Sequence, residues 1–366
     1  MLKSLKIQNF RCFEEFNLPQ LGRVNLLVGK NNGGKTSILE AVHILNSPDS
    51  IQSFLEIIES RRAYSQSTND NREFSFEAIH FLHGHQFSTE DNFNFDISGI
   101  SDKAKNIVFS FSLTNTSIRE LEFKAKKENR SFQNVGTSLQ SVGQSYVMKW
   151  DVDGRKSLLC LPFNISSFQI AVRNIPDSSN SNSSRLVQVN FSDIYTIVED
   201  FNQIVLTPQE ETLYEALRTI EPGIERIAPV TTQGHESVGF IVSINKQRVP
   251  LGSMGYGIWR ILEITLAMVN IPGGTLLIDE IDTGLHFSVM IDLWKLICKT
   301  AEKLDIQVFA TTHNSDCWKS LAEVANSSDI ATDDITIHRI ERDKKASIVF
   351  NEQEMAIAAE RDIEVR

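Results

Sequence analysis

The chain opens on short apolar runs that stop at polar or glycine positions. Leu26-Leu27-Val28 is unbroken and ends at Gly29, the pattern of a strand buried on both faces of a parallel sheet. The period then changes. Ile38, Leu39, Val42 and Leu45 recur at helical spacing and predict a helix that Pro48 closes. The first 45 residues thus predict strand, turn, strand, loop and helix. Ile51, Phe54, Leu55 and Ile58 predict a second, short helix over about 49–62. Residues 63–105 are polar and carry no clear period.

From 106 to 161 the pattern alternates, in Ile107-Val108-Phe109-Ser110-Phe111, Leu121-Glu122-Phe123 and Tyr146-Val147-Met148-Lys149-Trp150. Asp153-Gly154 between two such runs is a hairpin signal, so antiparallel strands are expected here. The Ser/Asn tract from Ser178 to Ser184 predicts an exposed loop. Residues 192–220 read as helical until Pro222-Gly223, and two strands are expected near 224–230 and 237–244. Beyond 251, helices alternate with the buried strands Thr275-Leu276-Leu277-Ile278 and Gln307-Val308-Phe309-Ala310. With no internal repeat, the two ends predict one α/β domain, mostly parallel sheet flanked by helices. An antiparallel β subdomain (106–161) and a short helical insertion (190–223) interrupt it.

Composition narrows the class. The 366 residues are 41% hydrophobic and 23% charged, with 22 Phe, which suits a globular protein with a well-filled core. No apolar run is long enough to span a membrane, and the first residues do not read as a signal peptide. Cys12, Cys160, Cys298 and Cys317 are scattered and read as reduced thiols of a cytoplasmic protein. The net charge of −11 argues against a broadly basic nucleic-acid binder, though not against a local basic groove.

The chemistry is concentrated at strand ends. Gly29-x-x-x-x-Gly34-Lys35-Thr36 fits the phosphate-loop pattern at every fixed position, after a buried strand and before a helix. Asn31, Asn32, Gly33, Gly34 and Ser37 lie in or beside this loop. Glycine allows the backbone amides to turn inward around phosphates, and the helix aims its positive end at them. Lys35 adds a charge on the β and γ phosphates, and the Thr36 hydroxyl reaches Mg²⁺. ATP and Mg²⁺ are the expected ligands. Leu276-Leu277-Ile278-Asp279-Glu280 is an apolar strand ending in two acids. Asp279 is expected on the Mg²⁺ side, and Glu280 as general base on the attacking water. His313 ends the run Val308-Phe309-Ala310-Thr311-Thr312-His313 and could sense the γ-phosphate or orient water; taken alone, such a histidine is more often structural.

These motifs resemble the ABC-type ATPases of the SMC, RecF and OLD branch. Asn9-Phe10-Arg11-Cys12-Phe13 is similar to that branch's opening, and Leu251-Gly252-Ser253-Met254-Gly255-Tyr256-Gly257 to its signature loop. Asp279-Glu280-Ile281-Asp282-Thr283-Gly284-Leu285-His286 is similar to its Walker B and D-loop, and Thr311-Thr312-His313 to its switch histidine. Gly284-Leu285-His286 and Ile204-Val205-Leu206-Thr207-Pro208 most resemble the stand-alone OLD-like AAA ATPases of prokaryotes, related to partners in anti-phage systems. The resemblance implies an ABC-type head that pairs head to tail with a second copy, or builds a higher assembly. Ser253 and Gly255 would then touch the γ-phosphate held by the other copy, with Asp282 at the seam and Arg11 near the nucleotide. It also implies a Q-loop glutamine on the metal, for which Gln169 is the candidate. The chain departs from the family in three ways. Too few residues follow His313 for a TOPRIM nuclease domain, 192–220 is too short for a long coiled coil, and Tyr256 takes a position that is often small or acidic.

Other features read more plainly. His80-Phe81-Leu82-His83-Gly84-His85 is closer to a surface segment than to a metal site, and Lys124-Ala125-Lys126-Lys127-Glu128-Asn129-Arg130 to a solvated hairpin tip than to a DNA contact. The leading expectation is an ATP-driven switch acting on a separately encoded effector nuclease or on DNA. A RecF-like DNA repair clamp and an assembly scaffold that binds ATP structurally are the alternatives.

Overall fold

The computed structural model describes residues 1–47, 52–61, 64–66, 74–76, 78–85, 94–114, 116, 118–128, 130–134, 145–162, 184–189, 193–231, 238–327 and 334–365. In chain order the strands are β1 (Leu2–Phe10), β2 (Phe13–Leu18), β3 (Val24–Val28), β4 (Tyr64–Gln66), β5 (Phe74–Phe76), β6 (Asn94–Ser101), β7 (Ile107–Thr114), β8 (Ser131–Asn134) and β9 (Ser145–Val152). They continue with β10 (Arg155–Pro162), β11 (Ser184–Val187), β12 (Ile224–Thr231), β13 (Val238–Ile244), β14 (Gln247–Pro250), β15 (Thr275–Ile278), β16 (Gln307–Thr311), β17 (Ile335–Arg339) and β18 (Ile348–Phe350). The α-helices are α1 (Lys35–Leu45), α2 (Gln52–Ser60), α3 (Ile118–Lys127), α4 (Ile194–Ile204), α5 (Pro208–Ile220), α6 (Tyr256–Val269), α7 (Met290–Lys303), α8 (Ser315–Ala325) and α9 (Glu352–Glu360). None of these helices is long and apolar enough to cross a membrane.

Two large sheets face each other. One has the order β11-β15-β16-β3-β17-β18 and is parallel except for β18. The other has the order β2-β1-β6-β7-β9-β10-β8 and is antiparallel except for the β10–β8 pair. Helix α1 lies between them and touches strands of both. Its residues from Ser37 to Leu45 are all buried, and Glu40 and His43 among them have partners: Glu40 with Arg11 and Arg61, His43 with Ser184 and Glu56. Successive residues of the parallel strands point to opposite layers. Leu27, Leu277 and Phe309 join the core around α1 and the antiparallel sheet. Leu26, Leu276, Ile278, Val308 and Ala310 join the core formed with α4 to α9.

The structure differs from the sequence pattern in several places. Three strands precede α1, because Asn9 to Phe13 folds β1 back on β2. The antiparallel sheet is not confined to 106–161; it draws β1 and β2 from the N-terminus and β6 from the polar stretch. Leu121-Glu122-Phe123 is helical and not a strand. Leu121 and Ala125, one turn apart, are buried while Phe123 is 70% exposed, so the helical period prevails over the short alternation. Lys124 to Lys127 therefore close α3 and are no hairpin tip. The Asp153-Gly154 hairpin is present, with φ of 49° and 84° at the two turn residues, the type I′ geometry that matches strand twist. A third strand, β14, follows β13 through Asn245-Lys246. Ser184 is buried at the start of β11, and the rest of the Ser/Asn tract lies outside the described residues.

Candidate functional site

The C-terminal ends of β3, β15 and β16 meet at one edge of the parallel sheet. Such edges collect ligands because successive crossovers leave a crevice there. The loop after β3 runs from Gly29 to Gly34 into α1. Gly34 has φ of 99°, and a Cβ there would run into the Phe13 ring and Cys12 Sγ of the β1–β2 hairpin. Only glycine lets the loop pass beneath that hairpin. Lys35 Nζ donates to the carbonyls of Gly29 (2.8 Å) and Lys30 (3.0 Å), so the ammonium lies inside the curl of the loop. Burial lowers its pKa, while the carboxylates of Asp279, Glu280 and Asp282 act in the opposite direction. Asn31 and Asn32 are exposed, and Gly33 and Ser37 are buried.

The acidic strand end closes over the start of α1. Thr36 Oγ1 lies 3.2 and 3.1 Å from the two carboxylate oxygens of Asp279. Thr311 Oγ1 donates to Asp279 Oδ1 at 2.6 Å and accepts from the Glu280 amide at 2.8 Å. A hydroxyl and a carboxylate meeting at this distance form the hard oxygen set that Mg²⁺ prefers, and these residues fit it. Glu280 Oε1 is 3.9 Å from His313 Nδ1, and Glu280 Oε2 accepts from Thr283 Oγ1 at 3.2 Å. Asp282 accepts from Thr312 Oγ1 at 2.6 Å. One edge thus brings together Lys35, Thr36, Asp279, Glu280, Asp282 and His313.

Other sequence candidates have different surroundings. Arg11, with φ of 55°, donates from Nε to Glu40 Oε2 (3.0 Å) and from Nη1 to the His80 carbonyl (2.9 Å). Its guanidinium stacks 4.1 Å from the Phe81 ring centroid. Burial lowers its pKa against the pull of Glu40. Arg61 takes the other Glu40 oxygen at 2.6 Å, so one carboxylate of α1 holds two guanidinium groups. Phe81 and Leu82 of the His80–His85 segment are buried in the core, while Gly84 is exposed. Ser253, in the turn Leu251–Met254, donates to the Pro250 carbonyl at 2.7 Å. Ser253 and Gly255 are exposed. Tyr256 hydrogen-bonds the Val189 carbonyl at 3.3 Å, and its ring fills the space that a Cβ at Gly284 would need. Gln169 lies outside the described residues.

Sequence reasoning missed two groups. Thr311 belongs to the strand and to the Thr311-Thr312-His313 motif, but neither gives its hydroxyl a role, although it joins Asp279 and the Glu280 amide. Arg260 was not singled out. It is fully buried in α6 and donates to the carbonyls of Gln188 (2.5 Å) and Asp279 (2.7 Å). A signal existed in the charge inside Ile258-Trp259-Arg260-Ile261-Leu262, since an arginine in a buried apolar run must have partners.

The model of the AAA ATPase domain family matches residues 1–317. An ATP/GTP phosphatase of Helicobacter pylori is 25% identical over 354 residues, covering 90% of this chain and 90% of that protein. The OLD nuclease of Thermus scotoductus is 23% identical over 86% of this chain, which spans 59% of that protein. Among solved structures, an SMC head bound to the C-winged helix domain of ScpA aligns with a TM-score of 0.52 at 10% identity. That alignment covers 95% of this chain and 96% of the other and is a likeness of fold alone.

Proposed function

The chain belongs to the AAA ATPase domain family, and from that premise we propose that it is an ATP-driven switch. It is an ABC-type ATPase of the SMC, RecF and OLD branch, and it hydrolyses ATP. In this reading two copies close head to tail around two ATP molecules. Closure and release then regulate a separately encoded effector nuclease, or DNA, in prokaryotic anti-phage defence. Similarity to an OLD nuclease supports a nuclease as the effector. The observation that carries the reading is an asymmetry within one chain. Lys35, Thr36, Asp279 and Glu280 meet at one strand edge, while Ser253 and Gly255 stay exposed at the start of α6. Phe287, 62% exposed a few residues after Asp282, offers an apolar contact to a seam.

The residues divide the work by position. Lys35 and the backbone of Asn31, Asn32, Gly33, Gly34, Thr36 and Ser37 hold the phosphates. Ser253 and Gly255 of a second copy reach the γ-phosphate from the opposite side, and Asp282 lies at the seam. Glu280 takes a proton from the attacking water as the water oxygen bonds to the γ-phosphorus and the bond to the ADP oxygen breaks. His313 steadies that water. Thr36 and Asp279 would hold Mg²⁺, with Gln169 as a further ligand; the bound metal supplies charge neutralisation on the phosphates.

Glu280→Gln tests the reading. It should bind ATP, lose turnover by about 10²–10⁴-fold and accumulate as an ATP-bound dimer in light scattering. A variant that binds ATP yet stays monomeric would remove head-to-tail closure, and unchanged turnover would remove Glu280 as base. A second reading, a DNA clamp, rests on the cations of α3. Lys124 lines a cavity of about 510 Å³ together with Arg130 and Lys149. Charge reversal at Lys124 and Lys127 should then weaken DNA binding and flatten its salt dependence.

A further inference from the structure

Glu280 has a backbone φ of 46°, a left-handed conformation that side-chain-bearing residues adopt only when their surroundings hold them in it. Three contacts do so. The Glu280 amide donates to Thr311 Oγ1 at 2.8 Å. The carbonyl before it, on Asp279, accepts from Arg260 Nη2 at 2.7 Å. Its own carbonyl accepts from the Thr283 amide at 3.0 Å, with Arg260 Nη2 3.5 Å away. Arg260 Nη1 donates to the Gln188 carbonyl, just past β11, at 2.5 Å, and lies 3.4 Å from Glu263 Oε2. One guanidinium, 0% exposed, therefore ties the ends of β11 and β15 to α6.

We propose that Arg260 is a positioning residue for Glu280, fixing the peptide groups on either side of it so that the carboxylate faces the nucleotide. The role rests on the reading of Glu280 as base. Its chemistry follows from the planar fork of arginine. Two nitrogens reach carbonyls on separate strands at once, which a lysine ammonium cannot reproduce. The carbonyls it satisfies lie past the last ladder bonds of β11 and β15, where the sheet no longer supplies partners. Arg260 also sits one turn from Tyr256, whose ring packs on Gly284. The helix that begins at the exposed Ser253 loop thus holds the acidic strand end on both sides of the turn.

The test uses the full chain with Arg260→Met and Arg260→Lys. ATP affinity, read with a fluorescent ATP analogue, should stay within about threefold of wild type, while kcat falls on the order of 100-fold, the scale of a small misplacement near a reacting centre. Hydrogen exchange should rise over 279–284 and not in α1. In an Arg260→Met, Glu280→Gln double variant, kcat should match that of Glu280→Gln alone, because residues acting as one unit are not additive. Full kcat in both Arg260 variants, or unchanged exchange over 279–284, overturns the proposal. If Arg260→Met does not fold, Arg260→Lys decides. A fall in kcat together with raised exchange over 279–284 at unchanged ATP affinity supports the role, and full kcat or unchanged exchange counts against it. Full turnover by Glu280→Gln would sink the base assignment alone, because exchange at 279–284 still reports whether Arg260 holds that turn.

Discussion

The two sheets that enclose α1 use the same residue types to opposite ends. Every residue of β3, β15 and β16 is buried, and the charged groups appear only where those strands stop. The antiparallel strands alternate: in β6, Phe95 and Ile97 face α1 while Asn94 is exposed. Its inner face is a run of stacked rings, with Phe95 5.2 Å from Phe111 and Phe111 5.3 Å from Phe54. A parallel sheet covered on both sides has only its strand ends free for chemistry. The antiparallel sheet, whose outer face is covered in part by α3 through Leu121, Val147 and Leu158, acts as a packing wall. The division implies that damage to one sheet should show in turnover and damage to the other in stability.

Phe111→Ala should give the largest effect, a loss of about 3–5 kcal/mol of stability, seen as a lower denaturant midpoint. The kcat of the molecules that remain folded should stay near wild type; a proportional fall would blur the comparison. Thr311→Val is the converse. It keeps the shape and removes the hydroxyl shared by Asp279 and the Glu280 amide, so kcat should fall about 10–100-fold with little change in melting temperature. Gly284→Ala sharpens the boundary. Its φ of 76° and the Tyr256 ring both oppose a methyl group, and a loss of about 1–3 kcal/mol is expected in thermal unfolding.

The smallest effect is acid sensitivity from β17. Burial lowers the pKa of His338 from 6.5 to about 4, and its ring sits between Ser347 Oγ (3.0 Å) and Thr336 Oγ1 (3.2 Å). A histidine held neutral in the fold adds no pH dependence above its unfolded pKa. Below it the unfolded chain takes up a proton that the folded one refuses, so stability falls with pH until about 4. From about pH 6.5 to about 5.5 the loss should be about 1 kcal/mol. It should vanish in His338→Gln, measured by urea titration at both pH values.

What the sequence disclosed tracks how local each constraint is. The loop from Gly29 to Thr36 and the Asp279-Glu280 strand end are legible because their spacing along the chain is their geometry. The parallel strands are legible because burial on both faces leaves unbroken apolar runs. Arg11 bonds Glu40, 29 residues away, and Arg61 bonds the other oxygen of the same carboxylate, and no spacing announces that meeting. Thr311 and Arg260 act through oxygen atoms on other strands, so their roles emerge only once the sheet is assembled. Strand β6 stayed hidden because its alternation is short, with Phe95 and Ile97 followed by Gly99 in a polar stretch, and α3 departs from the expected strand because Leu121-Glu122-Phe123 is too short to separate the two periods.

The place of β3 sets a timetable for the nascent protein. It lies between β16 and β17, strands made 284 and 311 residues later by the registers Leu26↔Ala310 and Ile335↔Val24. Gln307 completes the join, its side-chain amide bonding both backbone groups of Leu2. The segment from Gly29 to Thr36 is therefore made long before the strands that flank β3. Until those strands emerge, Leu26, Leu27 and Val28 are an apolar ribbon without a sheet, the kind of segment that chaperones shield.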